Sequence, residues 1–121
     1  MEGFQVRRKD DGAISTLYLQ GYLDAHTAPR LEEALQQLVD QGRYKIIVNF
    51  SDLAYISSAG LGVFMGFIEM IRSHQGDIKL TNMSDKIFRV FDLLGFPTLY
   101  DIFKDESEAQ RKFGQQAQGT P

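Results

Sequence analysis

A chain of 121 residues, 43% of them hydrophobic, holds one domain with a real core and is too short for two ordinary ones. Its 13 basic and 16 acidic residues leave a net charge of -3 with no basic block, so the electrostatic footprint of a nucleic-acid binder is missing. The absence of cysteine excludes a disulfide framework, a thiolate metal site and a cysteine nucleophile.

Residues 4–9 begin a sheet, Asp10-Asp11-Gly12 is a turn signal, and residues 14–20 form a second strand, together an N-terminal hairpin. Gly21-Tyr22-Leu23-Asp24 leads into a loop that ends at Thr27, an expected N-cap, with Pro29 tolerated in the first helical turn. Leu31, Ala34, Leu35 and Leu38 follow at helical spacing, and Gly42 is the expected stop. Residues 44–50 (YKIIVNF) are a continuous apolar run, as expected of a strand covered on both faces. A loop over 51–57 and a second helix over 58–73 are predicted next. Gly76-Asp77 then turns into a strand over 78–81. Ser84 caps a third helix carrying Ile87, Val90, Phe91 and Leu94, ended by Gly95 and Pro97. A short strand is expected within 99–103, and a closing helix over 105–113 with Ala109 and Phe113 turned inward. Residues 114–121 (GQQAQGTP) are expected to be a disordered tail.

Strands alternating with helices imply a single α/β domain over residues 1–113, with a mixed, mostly parallel sheet and about four helices. Residues 1–12 lack the apolar core of a signal peptide. The longest apolar stretch, 61–71, contains Glu69 and two glycines and is too short to span a bilayer. A soluble, cytoplasmic protein is expected, with neither membrane nor direct nucleic-acid contact.

The informative stretch is 49–70, NFSDLAYISSAGLGVFMGFIEM. A strand ends and a helix opens on Ser57-Ser58-Ala59-Gly60, where unpaired backbone N–H groups and the positive end of the helix dipole converge. A phosphate on a serine there would be stabilised by both. The plainer alternative is that Ser57 or Ser58 only caps the helix. At about 100° per residue, Leu61, Phe64, Met65, Ile68 and Ile71 share one face, expected against the sheet. Gly62, Gly66, Glu69 and Ser73 collect opposite, flanked by Val63 and Met70. Each interior glycine costs roughly 1 kcal/mol of helix stability relative to alanine. Two of them facing outward suit either a closely approaching partner backbone or close packing inside the domain.

Ile56-Ser57-Ser58-Ala59-Gly60-Leu61-Gly62 resembles the signature of STAS domains, specifically the bacterial anti-sigma factor antagonists. Gly21-Tyr22-Leu23-Asp24, Thr27-Ala28, IIVNFSDL over 46–53, Gly76 and IFRVFDLLGF over 87–96 fall where that family has comparable elements, so the likeness spans about residues 4–113. It implies a STAS fold and a partner switch without cofactor or catalysis of its own. The unphosphorylated antagonist would bind an anti-sigma factor that is also a serine kinase, freeing a sigma factor and so regulating transcription. That kinase would phosphorylate it with ATP, and a metal-dependent phosphatase would reverse the mark. By the family register the phosphoacceptor is Ser58, two positions before Gly60, with Ser57 as second candidate. Asp24 matches a family aspartate near that serine. The partner surface implied comprises Asp24, Thr27, Ser57, Ser58, Gly60, Gly62, Val63, Gly66 and Met70. Many members carry aspartate where this chain has Ser57 and Asn49. A monomer or weak dimer is expected. The rival output for the same fold is regulation of another signalling protein or of a lipid-transport complex, without a sigma factor.

Other chemistry finds less support. Ser58, His26 and Asp24 supply the residue types of a hydrolase triad, but G-x-S-x-G is absent. No P-loop and no metal-spaced His/Asp/Glu cluster occurs. His26 reads as a loop residue, and His74 as a partner of helix-terminal carbonyls or solvent.

Overall fold

The computed structural model describes residues 3–118. Its elements are β1 (Phe4–Asp11), β2 (Ile14–Leu23), α1 (Ala28–Asp40), β3 (Lys45–Ile56), α2 (Ser58–Ser73), β4 (Asp77–Thr81), α3 (Asp85–Leu93), a short 3-10 turn (Phe96–Thr98), β5 (Ile102–Phe103) and α4 (Glu106–Gln118). The sheet order is β1-β2-β3-β4-β5. β1 and β2 form the antiparallel hairpin, and every other neighbouring pair is parallel.

Three crossovers stepping in the same direction must put their helices on one face if each is right-handed. Accordingly, buried residues of α1, α2 and α3 share one core with Ile46, Val48 and Phe50 of β3. The alternate residue Ile47 points the other way, to a smaller cluster with Ala109 and Phe113 of α4. The apolar run read at 44–50 is thus a strand covered on both faces. No helix among the described residues is long and apolar enough to cross a membrane.

Several boundaries differ from expectation. The segment 51–57 is largely not a loop: β3 continues to Ile56 because β2 also runs on to Leu23 and supplies ladder partners, Gly21 to Leu53, Tyr22 to Tyr55 and Leu23 to Ile56. Two bulges each insert one extra residue into β3 along this stretch. In α2 the buried set is Gly60, Leu61, Phe64, Phe67, Ile68 and Ile71, while Met65 is 46% exposed. The inward face is therefore rotated from the expected one, with Phe67 in place of Met65. Leu94, expected within the third helix, is instead its exposed C-cap residue, because α3 ends at Leu93 and the chain turns at Gly95. α4 continues beyond Phe113 to Gln118, into the segment expected as a tail, since glutamine and alanine propagate a started helix well. The tail's last residues, 119–121, lie outside the described residues.

Candidate functional site

Ser58 is the first residue of α2, and its side chain lies at the surface. Ser57 holds the N-cap position with extended backbone (φ -108°, ψ 174°). Its N–H donates to the Leu23 carbonyl (2.9 Å), and its own carbonyl accepts from Gly60 (3.0 Å) and Leu61 (3.2 Å). The first of these bonds ties the start of α2 to the end of β2, one residue from Asp24, and the other two open the helix. The Ser57 hydroxyl makes no cap bond. It is shielded from solvent and has no hydrogen-bond partner among the described residues. The two serines thus part company: Ser57 turns its hydroxyl inward, and Ser58 offers its own to solvent beside first-turn N–H groups that have no intrahelical acceptor. No acidic residue occupies that first turn, so the positive end of the helix dipole is unneutralised.

Asp24 shapes the neighbouring loop. Its Oδ1 accepts the backbone N–H groups of His26 (2.9 Å) and Thr27 (3.2 Å). Thr27, expected to cap α1 with its hydroxyl, makes no cap bond. Instead its Oγ1 accepts from the Asp24 N–H (2.9 Å) and donates to the Tyr22 carbonyl (2.8 Å). Desolvation pushes the Asp24 carboxyl up, but the N–H groups of Thr27 and His26 and the Thr27 hydroxyl together outweigh it and hold the carboxyl below its ordinary range. Asp24 therefore rigidifies a turn and orients no imidazole. The His26 ring makes no hydrogen bond to Ser58 or Asp24 among the described residues, so the triad considered from sequence is not assembled there.

The motif glycines divide the same way. A Cβ on Gly60 would sit 2.7 Å from Leu23 Cγ and 3.2 Å from Ile56 Cγ1. Gly60 is buried, so its expected place on a partner surface is corrected: it lets α2 close onto β2 and β3. Gly62 and Gly66 have open space where a Cβ would go. Intradomain packing does not explain them. Val63 and Met70 are half-buried against the core, at the margin of the stripe Ser58, Gly62, Met65, Gly66 and Glu69. Asn49 lies well away from Ser58, seven β3 positions before Ile56, or roughly 20 Å at strand rise. Its amide nitrogen donates to Glu106 Oε1 (3.1 Å) and Asn82 Oδ1 (3.2 Å). An aspartate there would face the Glu106 carboxylate with like charge, which explains the departure at this position without reference to the serine.

One feature escaped the sequence reading. Tyr22 and Tyr55, at the ends of β2 and β3, are 55% and 42% exposed with ring centroids 6.0 Å apart. The signal was available only by treating 51–56 as strand in register with β2.

The STAS domain family matches residues 5–109, most of the chain and all of this site. The chain belongs to the STAS domain family. An anti-sigma-B factor antagonist of Listeria monocytogenes is 30% identical over 86% of this chain and 90% of its own. One from Bacillus subtilis is 37% identical over 69% of this chain and 76% of its own. The solved structure of the Bacillus cell fate determinant SpoIIAA in its phosphorylated form superposes with a TM-score of 0.70 at 25% identity, covering 92% of this chain and 99% of that one. Within the STAS domain described here, the matched span takes in Asp24, both serines, the glycine stripe of α2 and the tyrosine pair.

Proposed function

We propose that this STAS domain is an anti-sigma factor antagonist whose Ser58 carries the reversible phosphate of a partner switch. One observation carries the reading: of the two adjacent serines, only Ser58 presents its hydroxyl at the surface, and it does so at an uncompensated helix N-terminus. The partner is a serine kinase that doubles as anti-sigma factor, and a metal-dependent phosphatase resets the switch in the cytoplasm. In the kinase step the Ser58 oxygen attacks the γ-phosphorus of ATP, the hydroxyl proton passes to a kinase base, and ADP departs. The antagonist contributes the nucleophile, and its helix end stabilises the product dianion. No further chemistry is required of this chain.

Unphosphorylated, the surface of Ser58, Gly62, Met65 and Gly66 with the Asp24–Thr27 turn accepts the partner closely. Phosphorylation places about 1.5 to 2 negative charges within that contact, and their desolvation and repulsion open it. Incubation with a kinase-type anti-sigma factor and Mg-ATP, followed by phosphopeptide mass spectrometry, should find the phosphate on Ser58 and still find it there in Ser57→Ala. Ser58→Ala should bind and resist modification. Ser58→Asp should weaken binding by roughly tenfold or more, about 1.4 kcal/mol. Binding of Ser58→Asp as tight as wild type would refute the switch.

A further inference from the structure

The two faces of the sheet are built differently. The face under α1–α3 is mostly apolar, with Ser15 a buried polar exception, whereas the face under α4 presents Thr16, Tyr18, Asn49, Lys79 and Thr81 beside the apolar Ile14, Ile47 and Phe103. Thr16, Asn49, Lys79 and Thr81 are buried there. α4 itself (ESEAQRKFGQQAQ) meets this floor with Ala109 and Phe113. Much of its attachment is polar. Glu106, in its first turn, accepts the Tyr18 hydroxyl on Oε2 (2.9 Å) and the Asn49 amide on Oε1 (3.1 Å). The Lys79 ammonium, bound to Asp77 and Asp101 at 2.9 Å each, lies 4.7 Å from the Phe113 ring centre.

Lifting α4 would hand water a set of groups that water satisfies well, and among the described residues the apolar surface it would uncover is the small cluster of Phe113, Ala109 and Ile47 with the partly buried Ile14 and Phe103. It would pull no strand from the sheet, because α4 is the last described element and follows β5 through Lys104 and Asp105. Segments with few buried apolar contacts open at lower free energy than the core. We propose that α4 is a releasable cover, lifting as a unit while the sheet and α1–α3 stay folded, with Glu106 as its latch.

Amide hydrogen exchange on the full chain tests this. Amides from Ala109 to Phe113, in the middle of α4, should exchange at least about tenfold faster than those of β3 and α2. Tyr18→Phe keeps the ring beneath Arg7, whose guanidinium lies 5.3 Å from the ring centre, and removes only the hydroxyl. It should speed α4 exchange by about tenfold, leave β3 and α2 unchanged, and raise the rate at which acetic anhydride modifies Lys79 relative to Lys86. Glu106→Gln should act in the same direction. Equal protection of α4 and β3, or acceleration of α2 and β3 alongside α4 in Tyr18→Phe, would overturn the proposal.

Discussion

At the scale of single residues, the site is decided by which atoms lack room. Gly60 has none to spare, since a methyl would press into Leu23 and Ile56, whereas Gly62 and Gly66 look onto open space. Gly60→Ala should therefore destabilise the domain by about 1–3 kcal/mol through overpacking. Gly62→Ala and Gly66→Ala should each stabilise it by up to about 1 kcal/mol, because alanine restricts the unfolded chain and favours helix. Urea denaturation checks both signs. If the proposed interface is right, the two stabilised variants bind the partner more weakly, so stability and binding move in opposite directions. All three glycines look alike in the sequence; only their surroundings separate them. Ser57 and Ser58 pose the same problem, two identical side chains whose hydroxyls face opposite environments.

Among elements, the turn into α1 is organised by one carboxylate. Asp24 accepts two backbone N–H groups, and its folded-state carboxyl is held below the ordinary value of 3.8. A depressed folded value means the unfolded chain binds protons first as pH falls. The stabilisation from Asp24 is thus complete above the unfolded value and is lost as pH drops through the folded one. Asp105, whose carboxyl is lowered chiefly by the Ser107 hydroxyl and the Glu108 N–H, adds to the same acid slope. Asp24→Asn keeps an acceptor oxygen but cannot titrate, so its melting temperature should fall less than that of wild type between about pH 6 and pH 2. Identical acid slopes would remove Asp24 from this role. The cap of α3 was legible in advance, and Ser84 Oγ does accept the Ile87 N–H at 3.2 Å. The length of β3 was not, because its last residues are held by the extension of β2 rather than by any pattern of their own.

Across the whole molecule, a large apolar core on one side of the sheet supports a small, polar-floored layer on the other. Lys79 sits at the centre of that layer with no exposed surface, between Asp77 and Asp101. Removing it strands those carboxylates. Asp77 retains Arg72 at 2.9 Å and the Asp101 side chain is 47% exposed, so the penalty is smaller than the roughly 3–5 kcal/mol of a fully buried pair. Lys79→Ala should destabilise the domain by about 2 kcal/mol in urea denaturation. No change would mean that the triad is already hydrated.

From the residues alone came the order of strands and helices, the bounds of α2 at 58–73, the hairpin, the α3 cap and the family signature around Ser58. Each of these is written in local periodicity, turn chemistry or a contiguous motif. The tertiary structure decided which serine hydroxyl reaches solvent, which glycines are packed and which are bare, that Tyr22 and Tyr55 stand side by side, and that α4 rests on a polar floor. Those outcomes depend on strand register and on neighbours distant in sequence, where burial and hydrogen-bond partners are set by the whole sheet rather than by any short segment.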